Sequence, residues 1–248
     1  MKVSGAWIED KATQAVCAML TEAGYQALFV GGCVRNALLE MPVGDIDIAT
    51  DARPEMVMEL AHAVGLKPVP TGLEHGTITV VSGHIGHEVT TFREDVQTFG
   101  RHAVVAFASD LRTDARRRDF TMNALYAQTD GAVVDPLGGL ADLRARRVRF
   151  IEDADQRIRE DYLRILRFFR FHAWYGDPEG GLDAEGLAAC AGNVEGIVGL
   201  SRERVGAEMR KLLAAPDPAP SVAAMQATGV LAAVLPGSDA RALPLLVH

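Results

Sequence analysis

The stretch Val30-Gly31-Gly32-Cys33-Val34-Arg35, followed shortly by Gly44-Asp45-Ile46-Asp47-Ile48, decides how this chain is read. Residues 26–30 form a predicted short strand that runs into the two glycines, and 33–40 form a predicted helix. Two glycines between a strand and a helix let the backbone approach a phosphate closely. The helix start then offers unpaired N–H groups and the positive end of its dipole. Arg35, one turn in, is placed to add a charge-assisted contact. On its own this segment reads equally well as a tight turn. In the second segment, 45–49 is a predicted strand, so Asp45 and Asp47 leave one face and Ile46 and Ile48 the other. Two carboxylates so close repel each other unless a cation or a proton lies between them. Their oxygens suit Mg²⁺, which binds a few carboxylates together with substrate phosphates. The competing reading, two aspartates on a solvated strand edge, loses ground because a phosphate-cradling turn lies just upstream.

Working outward, 7–23 has helical periodicity and ends at Gly24, and Pro54 opens an amphipathic helix that stops at Gly65. Two runs, 76–81 and 87–92, joined by a turn at 82–86, predict a hairpin. Residues 93–110 lack periodicity and are expected to be a long loop. Helical character returns from Thr113, with strands expected near 124–128, 132–135 and 148–151. Beyond these, only helices are expected, at 154–174, 184–191, 202–214 and 220–234. Strands mixed with helices first and helices alone afterwards predict an α+β part followed by an all-α part, with the boundary near residue 150.

The 248 residues fit one large or two modest domains. No apolar run approaches the ~18 residues of a membrane span, and the first residues lack a basic start with an apolar stretch behind it. Cys17, Cys33 and Cys190 are far apart, with no CxxC spacing, and read as reduced thiols of a cytoplasmic protein. The net charge of −8 argues against a nucleic-acid partner only until its distribution is considered. Of 21 arginines, 13 fall between Arg112 and Arg170, whereas the chain has only four lysines. Arginine suits planar, bidentate contact to phosphates and base edges. About half of these arginines are assigned to ordinary helix-face ion pairs.

Three further groups carry chemistry. A two-metal phosphoryl-transfer site usually wants a third carboxylate; Glu88 on the second hairpin strand is the leading candidate and Asp95 the alternative. In Arg116-Arg117-Arg118-Asp119-Phe120-Thr121-Met122-Asn123, three consecutive arginines cannot all face one way. One or two are expected to reach a triphosphate while the others pair with Asp114 or solvent, and Asn123 is placed to meet a sugar hydroxyl. In Glu160-Asp161-Tyr162-Leu163-Arg164, the i,i+3 spacing makes Asp161 and Arg164 neighbours on one helix face. They are either a helix ion pair or a reader of base edges. Cytosine and adenine both show an amino donor beside a ring-nitrogen acceptor, which a carboxylate next to a guanidinium complements.

The order GGCVRNALL, GDIDIAT, RRDFTMNAL and EDYLRILRFFRF, over roughly residues 26–172, closely resembles the class II CCA-adding enzymes. These tRNA nucleotidyltransferases share the DNA polymerase β superfamily with bacterial poly(A) polymerases. The resemblance implies an α+β nucleotidyltransferase head over 1–150, with a mixed or antiparallel sheet and flanking helices. An all-α neck over 151–215 and the start of a helical body over 216–248 would follow, the body being longer in relatives. Asp45 and Asp47 would hold two Mg²⁺ ions; Glu88 stays the leading candidate for the third carboxylate from its strand position alone. Gly31, Gly32, Arg35, Arg118, Asp119 and Asn123 would bind the incoming nucleotide, and Asp161 and Arg164 would read its base, with Arg167 and Arg170 close behind them. The partners implied are the tRNA 3′ end, CTP and ATP, with no membrane. The loop after Phe92 resembles the element that switches the pocket from CTP to ATP. Poly(A) polymerases tend to carry a basic strand like GRRFRLAH; residues 70–77, Pro-Thr-Gly-Leu-Glu-His-Gly-Thr, look like the tRNA-directed type. Addition of C, C and A is therefore expected, with poly(A), CC-only or A-only addition as alternatives. A catalytically silent RNA-binding protein is the remote one.

Overall fold

The structure is a computed structural model that describes residues 1–99 and 102–247. The chain divides into two compact units. The first comprises Met1–Gln97, Ala103–Arg118 and Met122–Leu140; the second contains Asp119–Thr121 and the chain from Ala141 onward.

The first unit begins with α1 (Ala6–Glu9) and α2 (Lys11–Glu22). Asp10, whose carboxylate accepts from the N–H groups of Ala12 and Thr13, breaks the predicted single helix in two. Then come β1 (Leu28–Val30), α3 (Gly32–Leu38), β2 (Asp47–Thr50) and α4 (Pro54–Ala63). They are followed by β3 (Lys67–Gly72), β4 (Thr77–Ser82) and β5 (Ile85–Thr91). After β6 (Arg93–Phe99), β7 (His102–Phe107) and α5 (Leu111–Arg116), the short strands β8 (Tyr126–Ala127) and β9 (Val133–Val134) close the unit. Seven strands make one mixed sheet in the order β3-β4-β5-β2-β1-β8-β9. Strands β2 and β5 run parallel, with Asp47 opposite Glu88 and Ile48 opposite Val89. Val89 also faces Ile78 of β4, and these three apolar side chains are fully buried. Val16 and Leu20 of α2 and Val57 and Ala61 of α4 belong to the same buried set.

Two local expectations are corrected here. The run expected as a loop after Phe92 is a separate two-stranded ribbon, β6 with β7. Its β-branched and aromatic residues favour extended backbone, but the run has no period-two pattern that would mark a half-buried strand. Strand β3 was not expected, because Pro68 and Pro70 interrupt it; it lies at the edge of the sheet, where a missing N–H is tolerated.

The second unit contains α6 (Gly139–Arg144, which begins at its border), α7 (Ala154–Glu160), α8 (Leu163–Tyr175) and α9 (Ala184–Gly192). It ends with α10 (Arg202–Leu213), α11 (Ala219–Ala227), α12 (Val230–Val234) and α13 (Leu243–Val247). The strand expected at 148–151 is only an isolated bridge between Phe120 and Phe150. The helix expected over 154–174 breaks at Asp161, which is extended (φ −153°, ψ 105°) and whose carboxylate accepts from Leu163 N–H at the start of α8. Aspartate competes for backbone donors and so favours helix starts over helix interiors. An aromatic cluster forms the core: Phe120 lies 4.9 Å from Phe150 and 5.0 Å from Phe171, and Phe150 stacks on Phe168 at 5.4 Å. This cluster explains why Asp119–Thr121 and residues 141–150 group with the helices. None of the helices among the described residues is long and apolar enough to cross a membrane.

Phe168 is fully buried at the centre of that cluster. Phe168→Ala is expected to lower unfolding stability by about 3–5 kcal/mol, read by urea denaturation; a loss below about 1 kcal/mol would show that the cluster is not the core of the unit.

Candidate active site

In the first unit the two sequence-predicted groups come together around the end of β1. The backbone turns at Gly31 with φ +72°, a conformation that a side chain would strain. Its N–H donates to the Leu125 carbonyl at 3.1 Å. A Cβ on Gly31 would stand 3.5 Å from Arg118 Nη1 and 3.7 Å from the Asn123 carbonyl oxygen, and one on Gly32 would stand 3.8 Å from Arg35 Nη2. Two guanidiniums therefore flank a turn that carries no side chain of its own. Arg35 is buried; its Nη1 donates to Asn123 Oδ1 (2.5 Å) and its Nε and Nη2 to Asn36 Oδ1 (3.1 and 2.8 Å).

The three consecutive arginines separate. Arg116 is exposed, whereas Arg117 Nε (2.8 Å) and Arg118 Nη2 (3.1 Å) both donate to Asp114. The Tyr126 hydroxyl donates to the same carboxylate at 2.7 Å and accepts from Arg118 Nε at 3.1 Å. Burial alone would raise the Asp114 pKa, but Arg118, Arg117 and the tyrosine hydroxyl outweigh it and hold it down at about 2. Arg118 is thus the arginine of the three that also faces the Gly31 turn.

The carboxylates need one correction. Asp45 and Asp47 do not share a strand face, because β2 begins at Asp47, where pairing with Glu88 begins; Asp45 sits at a bend just before it and is exposed. Glu88 takes its place as the strand neighbour of Asp47, one interstrand spacing of about 4.8 Å away. The side chain of the alternative, Asp95, lies outside the described residues. Burial pushes the Asp47 carboxyl up to about 6; the charges of Glu88 and Asp45 push the same way, and Arg118 opposes them. Carboxylate oxygens with surplus negative charge fit a hard divalent cation. No preformed cage of three or more His, Cys, Asp or Glu exists among the described residues.

The remaining predicted residues lie in the second unit. Asp119 accepts from Arg167 Nε (2.7 Å) and Nη2 (2.5 Å). Arg170 Nε donates to buried Glu208 at 2.5 Å, with its guanidinium 4.5 Å from the Phe171 ring centre. Asp161 and Arg164 are not on one helix face, since the break at Asp161 separates them. Asp161 instead accepts from Arg204 Nη2 at 2.6 Å, and Arg164 Nη1 donates to Glu160 (2.5 Å) and to the Arg157 carbonyl (2.8 Å). The sequence reading missed Tyr126, Glu160, Arg204 and Glu208 as partners of these residues. Glu160–Arg164 was visible as an i,i+4 pair; Arg204 and Glu208 are remote in sequence and had no local signal.

Comparison with known proteins agrees with this geometry. Residues 27–149 match the model of the poly A polymerase head domain, and 182–241 match the probable RNA and SrmB-binding site of polymerase A. The chain is 42% identical over 196 residues to the mitochondrial CCA tRNA nucleotidyltransferase 1 of Mus musculus, covering 79% of this chain and 45% of that protein. It is 41% identical over 220 residues to the CCA-adding enzyme of Geobacillus thermodenitrificans, covering 88% and 52%. Its fold superposes on a crystal structure of the Bacillus stearothermophilus CCA-adding enzyme in complex with CTP with a TM-score of 0.84, at 35% identity, over 96% of this chain and 57% of that one. The mixed sheet with its flanking helices is the fold shared with that CCA-adding enzyme structure. The chain belongs to the tRNA nucleotidyltransferase and poly(A) polymerase family. It spans about half the length of the curated relatives it matches. Nucleotidyltransferases of this family generally use divalent metal ions.

The raised Asp47 pKa makes a prediction. A carboxyl that titrates near 6 when folded and at its ordinary value when unfolded lets the folded state hold an extra proton between these values. The charged carboxylate therefore lowers stability as pH rises through about 6. In EDTA, Asp47→Asn is expected to raise the melting temperature at about pH 7.5, with the gain fading as pH falls to about 4. An equal gain at both pH values, or none at either, would contradict the crowding of charge around Asp47.

Proposed function

We propose that this chain is the catalytic part of a CCA-adding enzyme, extending tRNA 3′ ends with C, C and A from CTP and ATP. The observation that carries it is the pairing of Asp47 with Glu88 in the unit where Arg35 and Arg118 flank the glycine turn. The likeness to CCA-adding enzymes at about 40% identity supports the same reading.

In this reading Asp45, Asp47 and Glu88 would hold Mg²⁺. When bound, the ions would activate the attacking 3′-hydroxyl and offset charge on the transferred phosphoryl group and the leaving pyrophosphate. The chain's own residues supply position and electrostatics. Arg118 and Arg35 attract the triphosphate to a turn where no side chain obstructs it, and Asn123, fixed by Arg35, meets the ribose. Asp119 contributes through Arg167, whose guanidinium it orients. Asp161 and Arg164 read the base as acceptor and donor, each held by a separate partner, Arg204 and Glu160; Arg167 and Arg170 support them. Separate anchoring is compatible with reading C and A alike, since both present the same donor–acceptor order. The reading includes a cytoplasmic location, supported by the three buried, unbridged cysteines.

The test uses tRNA transcripts ending before CCA, after C and after CC, with CTP, ATP and Mg²⁺, and sequencing of the product ends. Completion to CCA and no further is expected. Long A tails would favour poly(A) polymerase, a halt after two C residues or addition of A alone would mark a partial activity, and no extension would overturn the proposal. Arg164→Ala is expected to admit GTP and UTP while extension persists; unchanged exclusion of both would remove Arg164 from base reading.

A further inference from the structure

Arg118 is held on three sides within the first unit, and the holding groups are themselves buried. Tyr126 has no exposed surface and Asp114 is 1% exposed. Arg118 Nε donates to the Tyr126 hydroxyl, Nη2 donates to Asp114, and the guanidinium carbon lies 5.4 Å from the centre of the Tyr126 ring. These contacts engage one edge of the guanidinium plane and leave Nη1 directed at the position a Gly31 side chain would fill. Tyr126 is at the same time the β8 residue paired with Val30, the last residue before that turn. The strand that builds the turn therefore also carries the hydroxyl that aims the arginine at it. Arg117 and Arg118 share the one carboxylate of Asp114.

We propose that Tyr126, with Asp114, is a positioning residue for the triphosphate of the incoming nucleotide, fixing Arg118 so that its Nη1 edge meets the phosphates at Gly31. This rests on the reading of Arg118 as a triphosphate contact. It assigns a task to a side chain that touches no substrate and that the sequence did not single out. A flexible arginine would lose rotamer freedom on each binding event, whereas a guanidinium already fixed by two hydrogen bonds does not. Because the strut acts on phosphates, its effect must be the same for CTP and ATP.

The test is Tyr126→Phe, which keeps the ring and removes the hydroxyl. Losing one hydrogen bond to a charged group is expected to raise KM for CTP and for ATP about tenfold each. KM for tRNA, the order of C and A addition and kcat are expected to stay near the unaltered values. A fluorescence competition assay with inorganic tripolyphosphate should show the same weakening, while cytidine binding stays unchanged. Asp114→Asn, retaining shape but not charge, is expected to follow the same pattern if its melting temperature confirms that it folds. Unchanged KM for both nucleotides, a loss confined to one of them, or a fall in kcat alone would overturn the proposal. If the unaltered protein fails to extend tRNA, the proposed function falls. The tripolyphosphate comparison then still decides whether Tyr126 governs phosphate binding.

Discussion

The parallel pairing of β2 with β5 carries the first unit and its chemistry together. Ile48, Val89 and Ile78 stand in register across β2, β5 and β4, all without exposed surface. Strand alternation then leaves Asp47, Glu88 and Thr79 as the adjoining row on the opposite face. A slip of one residue would turn the carboxylates into the core and the apolar row into solvent. Burying an unpaired carboxylate costs several kcal/mol, so the same hydrophobic burial that stabilises the sheet also specifies which two carboxylates meet. What remains is a half-buried carboxyl on Asp47 whose pKa burial raises first and the neighbouring Glu88 charge raises further. That unresolved charge is what a divalent cation would relieve.

The arginines obey a complementary rule. Their concentration between Arg112 and Arg170 suggests a basic surface, yet nearly every one that matters has an acid beside it: Asp114 for Arg117 and Arg118, Asp119 for Arg167, Glu208 for Arg170, Glu160 for Arg164. Asp142 likewise holds Arg147 and Arg149. Buried and half-buried pairs of this kind add little net stability, because desolvation offsets attraction. Their value lies in orientation: each guanidinium has five donors in a fixed fork, and a partner that takes two leaves the others aimed. This also reconciles a net charge of −8 with a chain built around arginine.

The sequence carried much of this where the signal was local. The glycine turn, the hairpin over β4 and β5 and the helical second half could be read, the last two because burial writes a period into neighbouring residues. Glu88 could be nominated as third carboxylate but not placed, since its pairing with Asp47 depends on a parallel crossover that no local pattern records. The ribbon of β6 and β7 escaped because its sequence carries no period-two pattern, and β3 because prolines mask an edge strand. The reading of Asp161 and Arg164 as helix neighbours failed for a definite reason. The carboxylate that was expected to face Arg164 instead accepts the Leu163 N–H and ends the helix that the spacing presupposed. Arg204 and Glu208 were invisible because a long-range ion pair leaves no trace in either partner's neighbourhood.

The segment 114–126 shows how one stretch of chain can serve both units. Arg118 belongs to the first and Asp119 to the second, although they are consecutive. Asp114 and Tyr126 anchor Arg118; Arg167 anchors Asp119, and the aromatic cluster anchors Phe120. The chain returns at Met122, and Asn123 meets Arg35. At Arg118 and Asp119, consecutive residues thus take their partners from different units, each from side chains of its own unit.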